Sequence, residues 1–267
     1  LMASIHEEED RILEELSNNC PTSIDKDKLV PDGLHYLGEF SYEENGCWKR
    51  VSDDEEERWK DICEQKRGLL VLTKDLNDAE VWDIRMDHGR KNNIADPTPS
   101  RKGFYENLRR WIYGLMTMSD SGEMPEYPTT EDVQGHFVEQ PWVRMNLKKE
   151  LGKGSVRDSV LHANIEATKE SLKEQLKLYR RASIYIDCAK GEGIELLKQM
   201  YPDIISFSSG EKPRISYSEE YRFIIIDSHH PSYPRMKRRT YYDDMKKAVQ
   251  AFFREHSNFL KILEKES

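Results

Sequence analysis

The chain alternates between short apolar runs and longer stretches whose apolar residues recur every three or four positions. Four runs carry the pattern: Leu69-Leu70-Val71-Leu72, Trp142 to Leu147, Ala182 to Cys188, and Phe223-Ile224-Ile225-Ile226. Runs this short, apolar at both alternating positions, read as strands buried on both faces. Between them lie helical patterns. Trp59, Ile62 and Cys63 mark one over 53–67. Leu108, Trp111, Ile112 and Leu115 mark another over 104–116, and Leu161, Ile165, Leu172, Leu176 and Tyr179 a long one over 159–181. Shorter patterns cover 7–16 and 193–201, and Val249, Phe252, Phe253 and Leu260 close the chain over 241–263.

Strands alternating with helices predict an α/β fold, three layers deep. Its centre is expected to be a mostly parallel four-stranded sheet with strands near 69–73, 142–147, 183–188 and 222–227. Residues 34–40 and 204–207 add short strands at most. Residues 119–140 and 210–218 read as loops. Residues 1–67 are expected to form an N-terminal helical extension packed on a core of 68–267, one domain overall.

Length and composition narrow the class. A chain of 267 residues can bury a full core. No apolar run approaches the roughly 20 residues of a membrane helix, so no membrane partner is expected. LMASIHEEEDRILEEL carries acid early and lacks a signal-peptide pattern. The cysteines, Cys20, Cys47, Cys63 and Cys188, form no CxxC pair. Zinc is therefore not expected, and a reducing cytoplasm is (nucleoid-associated if the source is bacterial).

Net charge is −9, which argues against nucleic acid as a partner, but the charge is segregated. Acid gathers at Glu7 to Asp10 and Asp53 to Glu57. Base gathers at Arg85, Arg90 and Lys91, at Arg101 and Lys102, at Arg109 and Arg110, at Lys148, Lys149 and Lys153, and at Arg235 to Arg239. Such segregation suits a phosphate footprint; the plainer reading of any one cluster is a solvated surface.

Three of the strands end in groups that do chemistry. The first runs into Thr73-Lys74-Asp75, the second ends at Asn146, and the fourth runs into Asp227-Ser228-His229-His230-Pro231-Ser232. Parallel strands bring those ends to one edge, where open α/β sheets bind ligands. Each residue also has a structural alternative. Asp75 can form a turn, Asn146 can satisfy backbone, and His230 can be a packed histidine.

Order and spacing resemble the uracil-DNA glycosylase superfamily over roughly residues 68 to 253. That family has an acid or amide after its first strand, in motifs such as GQDPY or GINPG, where this chain has Thr73-Lys74-Asp75-Leu76-Asn77. Its proline-serine segment before a helix is matched by Pro99-Ser100-Arg101-Lys102, its strand-end asparagine by Asn146, and its HPS by His230-Pro231-Ser232. Thr73 stands where the motif has glycine and Leu76 where it has proline.

The resemblance implies hydrolysis of the N-glycosidic bond of uracil or a related damaged base, flipped out of DNA. Asp75 would stabilise the cationic sugar and orient water, and His230 would donate to the leaving base. Asn146 and Asn77 would bind the base, with Trp82 a substitute for the stacking aromatic. Ser100, Arg101, Lys102, Ser232, Arg235, Lys237, Arg238 and Arg239 would hold phosphates. Tyr233 or Met236 would fill the gap left by the base.

The chemistry needs no metal or cofactor. The partner implied is single- or double-stranded DNA with a damaged or deaminated base, and the protein is expected to be a monomer. No lysine is evidently placed as a nucleophile, so strand cleavage is not expected. Two rivals stay open: a binding protein that keeps the fold without the chemistry, and a nucleotide hydrolase or transferase, against which the absence of a glycine-rich phosphate loop counts.

Overall fold

The computed structural model describes residues 3–37, 40–42, 48–50, 54–78, 80–88, 99–152, 156–208, 210–233 and 235–261; for 40–42, 48–50, 87–88, 99–102, 134–135 and 138 only the backbone is considered. Its helices are α1 (Ile5–Asn18), α2 (Glu55–Glu64), α3 (Pro99–Met116), α4 (Thr130–Glu139), α5 (Asp158–Leu178), α6 (Glu192–Met200) and α7 (Arg238–Glu255). Its strands are β1 (Gly33–Leu34), β2 (Phe40–Tyr42), β3 (Trp48–Arg50), β4 (Leu69–Thr73), β5 (Val143–Asn146), β6 (Ile184–Asp187), β7 (Ile205–Ser206), β8 (Arg214–Ser218) and β9 (Phe223–Asp227).

The four apolar runs form the middle of the sheet as expected. β5, β4, β6 and β9 lie side by side and parallel. The sheet is larger than four strands, however, and is mixed rather than mostly parallel. Its order is β1-β5-β4-β6-β9-β8-β7, and the β1–β5, β9–β8 and β8–β7 pairs are antiparallel. The stretch read as a loop over 210–218 holds β8. Its Ile215 and Tyr217 alternate with polar residues, the weaker signature of a strand at the sheet's flank. A turn of only four residues, with Arg222 at φ 57°, then returns the chain into β9. A connection so short permits only an antiparallel pair.

Alternation along the strands divides the core into two layers. Leu69, Val71, Ile184, Ile186, Ile224 and Ile226 pack with Leu108, Trp111 and Ile112 of α3 and Val249 and Phe252 of α7. Leu70, Leu72, Val143, Met145, Tyr185 and Ile225 pack on the other face with Leu161, Ile165 and Leu172 of α5 and Ile194 and Leu197 of α6. Burying each such side chain contributes about 1.5–3 kcal/mol. The stretch read as loop over 119–140 contains α4. Its start is a capping box: the Asp132 N–H donates to Thr129 Oγ1, and the Thr129 N–H donates back to the Asp132 carboxylate.

The N-terminal stretch does more than lie on the core. β1 extends the sheet against β5, and α1 packs on α5. The expected strand over 34–40 lies partly outside the described residues, as do Cys47, Arg90, Lys91 and Lys153. The closing helix ends at Glu255, and residues beyond 261 lie outside the description. Among the described residues no helix is long and apolar enough to cross a membrane.

Candidate active site at the carboxyl edge of the sheet

The parallel strands deliver four carboxyl ends to one edge. The β6 end is used for structure. Asp187 is fully buried and accepts from the Ala189 and Ile194 N–H groups, at 2.7 and 3.0 Å, so it caps the entry to α6. Burial pushes its carboxyl up to about 6. The other three ends hold Asp75, Asn146 and His230.

Asn146 is the last residue of β5 and is fully buried. Its backbone N–H donates to Asp32 Oδ2 at 2.7 Å. The Thr73 hydroxyl, across on β4, donates to its side-chain Oδ1 at 2.6 Å. Its Nδ2 is buried with no hydrogen-bond partner in the structure. Asn146 therefore keeps two amide protons and one oxygen lone pair without a partner.

Asp75 lies two residues past β4. Pairing with the β5 strand continues beyond the strand ends: the Leu147 and Lys148 N–H groups donate to the Thr73 and Lys74 carbonyls at 2.8 and 2.7 Å. That holds the Asp75 backbone in place. Its carboxylate lies against Gly152, where a Cβ would collide with Oδ2. The absence of a side chain at 152 is what lets the carboxylate approach so closely. Asp75 Oδ2 is buried without a hydrogen-bond partner. Burial raises its pKa against the opposing pull of Lys148, Lys74 and Arg144.

His230 lies three residues past β9. Its Nδ1 accepts the Ser232 N–H at 3.2 Å, which leaves the neutral ring's proton on Nε2. Burial, with the charges of Arg144 and then Lys74, lowers its pKa to about 4. It is a neutral donor at physiological pH. Its ring is 5.5 Å from that of Phe104, over which the Arg144 guanidinium stands at 4.8 Å. Asp75 and His230 thus respond to the same two cations, Arg144 and Lys74.

The remaining residues divide. Asn77 is exposed, and its backbone bridges to Gly152. Trp82 donates from Nε1 to Asp78 at 2.8 Å and packs with Val30, Leu76 and Ile84, a cluster beneath the Asp75 loop. Tyr233 stacks on His229 with ring centroids 4.6 Å apart, and it and Met236 pack against the core. Ser232 is half-buried; Arg235, Lys237 and Arg238 are exposed. The backbone of Ser100, Arg101 and Lys102 opens α3, while their side chains lie outside the described residues.

Several basic clusters read as a phosphate footprint are internal. Arg109 and Arg110 are buried around Glu106, Arg85 bonds Glu9 and Asp83, and Lys149 bonds Asp32. A charged residue within an apolar pattern is buried only with a partner; Arg85 and Lys149 take Glu9 and Asp32 from distant segments, while Arg109 and Arg110 share Glu106 on their own helix.

Sequence reasoning missed Thr73, Arg144, Phe104 and Asp32. Arg144 was findable, since it stands two residues before Asn146 on the same side of β5. Asp32 carried no local signal. Among the described residues no group of three or more His, Cys, Asp or Glu side chains is arranged to hold a metal ion. No family model matches the chain, and no curated protein or solved structure matches it either.

Proposed function

We propose that the protein is a DNA base-excision glycosylase, hydrolysing the N-glycosidic bond of uracil or a related damaged base that has been flipped out of the helix. One observation carries the reading. Asp75 and Asn146 each keep a buried polar atom unpartnered, and with the neutral His230 they stand at the carboxyl ends of parallel strands. Buried polar groups are ordinarily paired, so such orphans belong where a ligand completes them.

Cleaving the bond generates a cationic sugar and an anionic base. Asp75 faces the sugar, stabilises its positive charge and orients the attacking water. His230, with Nδ1 held by the Ser232 N–H, donates from Nε2 to the base oxygen on which charge develops. Asn146 reads the base edge with its free amide protons. A wrong base would leave those protons unpaired, which is how such a site discriminates.

A second reading is a binding protein without the chemistry. It is favoured by the Thr73 hydroxyl, which already occupies one lone pair of the amide that would read the base. Single-turnover release of free base from oligonucleotides containing uracil, hypoxanthine or xanthine separates the two. Wild type is expected to release base. Asp75→Asn and His230→Ala are each expected to slow release about a hundredfold or more, with the melting temperature retained. No release by wild type on any substrate replaces the reading with the binding protein. Release that both variants perform equally well moves the site elsewhere.

A further inference from the structure

Lys74 stands where the connections across the sheet diverge. From β4 the chain crosses the α3 face to reach β5, while from β6 it crosses the α6 face toward β7. β4 and β6 are hydrogen-bonded neighbours, so the connections that follow them part between the two carboxyl ends. Open α/β sheets bind their ligands at such a switch point.

Lys74 is the first residue past β4, its carbonyl fixed by the Lys148 N–H at 2.7 Å. Its side chain is half-buried. Nearly every other cation in this part of the molecule is tied down. Lys148 donates to the Glu150 and Leu151 carbonyls, Lys190 pairs with Asp158, and Lys212 with Asp227. Among the described residues the Lys74 ammonium has no hydrogen-bond or ion-pair partner. Burial and the like charge of Lys190 lower its pKa, against the pull of Asp158 and Asp75 and with a further push from Lys212. A desolvated lysine beside other cations is how proteins make an amine nucleophilic toward carbonyls.

We propose that Lys74 is an imine-forming nucleophile whose substrate is the C1′ aldehyde of an abasic deoxyribose, so that the site cuts the DNA strand once a base has left. The inference rests on the glycosylase reading of the same site. The Nζ lone pair adds to C1′ of the ring-opened sugar. The carbonyl oxygen takes up protons and leaves as water, and a C1′=N iminium remains. The iminium acidifies the C2′ hydrogen, and the neighbouring Asp75 carboxylate accepts that proton. The electron pair released forms the C2′–C3′ double bond as the C3′–O bond breaks, expelling the 3′ phosphate as a monoester. Water then hydrolyses the imine and returns the amine. Nothing is oxidised or reduced.

The test uses the full chain and an oligonucleotide with one preformed abasic site, so that it does not depend on base release. Borohydride is added to reduce any imine to a stable cross-link. Wild type is expected to give a protein–DNA adduct whose mass maps to Lys74. Lys74→Arg keeps the charge but cannot form this imine, and is expected to lower the adduct about tenfold or more. No wild-type adduct, an adduct mapped to another amine, or an adduct undiminished in Lys74→Arg overturns the inference. If Lys74→Arg does not fold, the mapped site in wild type decides. Base release from a uracil oligonucleotide is measured in parallel. Release without an adduct overturns the inference and keeps the glycosylase reading. An adduct without release keeps the Lys74 chemistry and removes that reading.

Discussion

At Asn146 two polar regions meet. On the N-terminal side, the buried Asp32 carboxylate accepts from the Asn146 N–H, from Lys149 Nζ and from Gln175 Nε2, all at 2.7–2.8 Å. Close by, Glu9 accepts from the Leu34 N–H at 2.8 Å, from His6 and Arg85 at 2.9 Å each, and from the Tyr179 hydroxyl. On the carboxyl-edge side, Asp75 Oδ2 and Asn146 Nδ2 are buried with no partner. Both regions remove charge or polarity from water. The first supplies its own partners and holds α1, β1 and α5 onto the sheet. The second leaves atoms open, at the desolvation cost of unpaired buried groups. A saturated network is architecture; an unsaturated one beside it is the better candidate for chemistry.

The largest test of that contrast is stability. Asp32→Ala leaves Lys149 buried and without its carboxylate. Breaking a buried pair in this way costs about 3–5 kcal/mol. Asp75→Asn removes a carboxylate that burial already disfavours in its charged form. It is expected to change stability by less than about 1 kcal/mol. Denaturant unfolding of the two variants measures both. Equal losses would erase the distinction between the two regions.

The same contrast explains what the sequence made legible. The four parallel strands could be read because each is a continuous apolar run. Asp75, Asn146 and His230 could be singled out because polarity changes abruptly where those runs end. β8 was hidden because only Ile215 and Tyr217 are apolar in it, and α4 because Pro128 and Gly135 mask a good cap. Asp32, Glu9 and Arg85 were illegible for a deeper reason. Their roles depend on partners up to 170 positions away, and pairing at such range leaves no local periodicity. The buried Lys149 was misread for the same reason, its partner Asp32 lying 117 positions away; Arg109 and Arg110 were misread although Glu106 stands three and four positions before them, because helical spacing does not show that a pair is buried.

Two histidines carry the contrast into pH dependence, with opposite signs. Burial alone would lower the pKa of His6, but hydrogen bonds to Glu55 and Glu9 prevail and raise it to about 9. The folded state therefore holds the His6 proton more tightly than the unfolded chain does. This stability is fully present below the unfolded value of 6.5 and is lost as pH rises through about 9. His230 is lowered to about 4, so the unfolded chain binds its proton first. Stability is expected to fall as pH drops from 6.5 toward 4. Asp187, raised to about 6, works the other way across part of that acid window, so each histidine is isolated by difference from its variant. His6→Gln should flatten the alkaline limb of the stability curve and His230→Gln the acid limb. Urea midpoints from pH 4 to 9 are the measurement. A His230→Gln curve that parallels wild type below pH 6.5 would mean the ring is already charged in the folded protein, and the neutral donor would be lost with it.

The smallest effect expected separates charges with internal partners from charges left to solvent. Arg109 and Arg110 spend their guanidinium groups on Glu106 and on the backbone of α3. Lys237 and Arg238 are exposed at the start of α7, with Glu106 only a distant neighbour of Arg238 at 3.8 Å. If the protein binds DNA at the carboxyl edge, the exposed pair is what meets phosphate, and the acidic total charge does not prevent it. Each phosphate neutralised releases counterions, so affinity should fall steeply with salt. Reversing both charges, Lys237→Glu with Arg238→Glu, should weaken binding to every sequence alike and reduce the slope of log K against log salt by about two. The melting temperature should hold, because neither side chain is buried. Fluorescence anisotropy with single- and double-stranded oligonucleotides across a salt series gives the slope directly. An unchanged slope would place the phosphates on another surface, and no binding at low salt to either probe would remove nucleic acid as the partner.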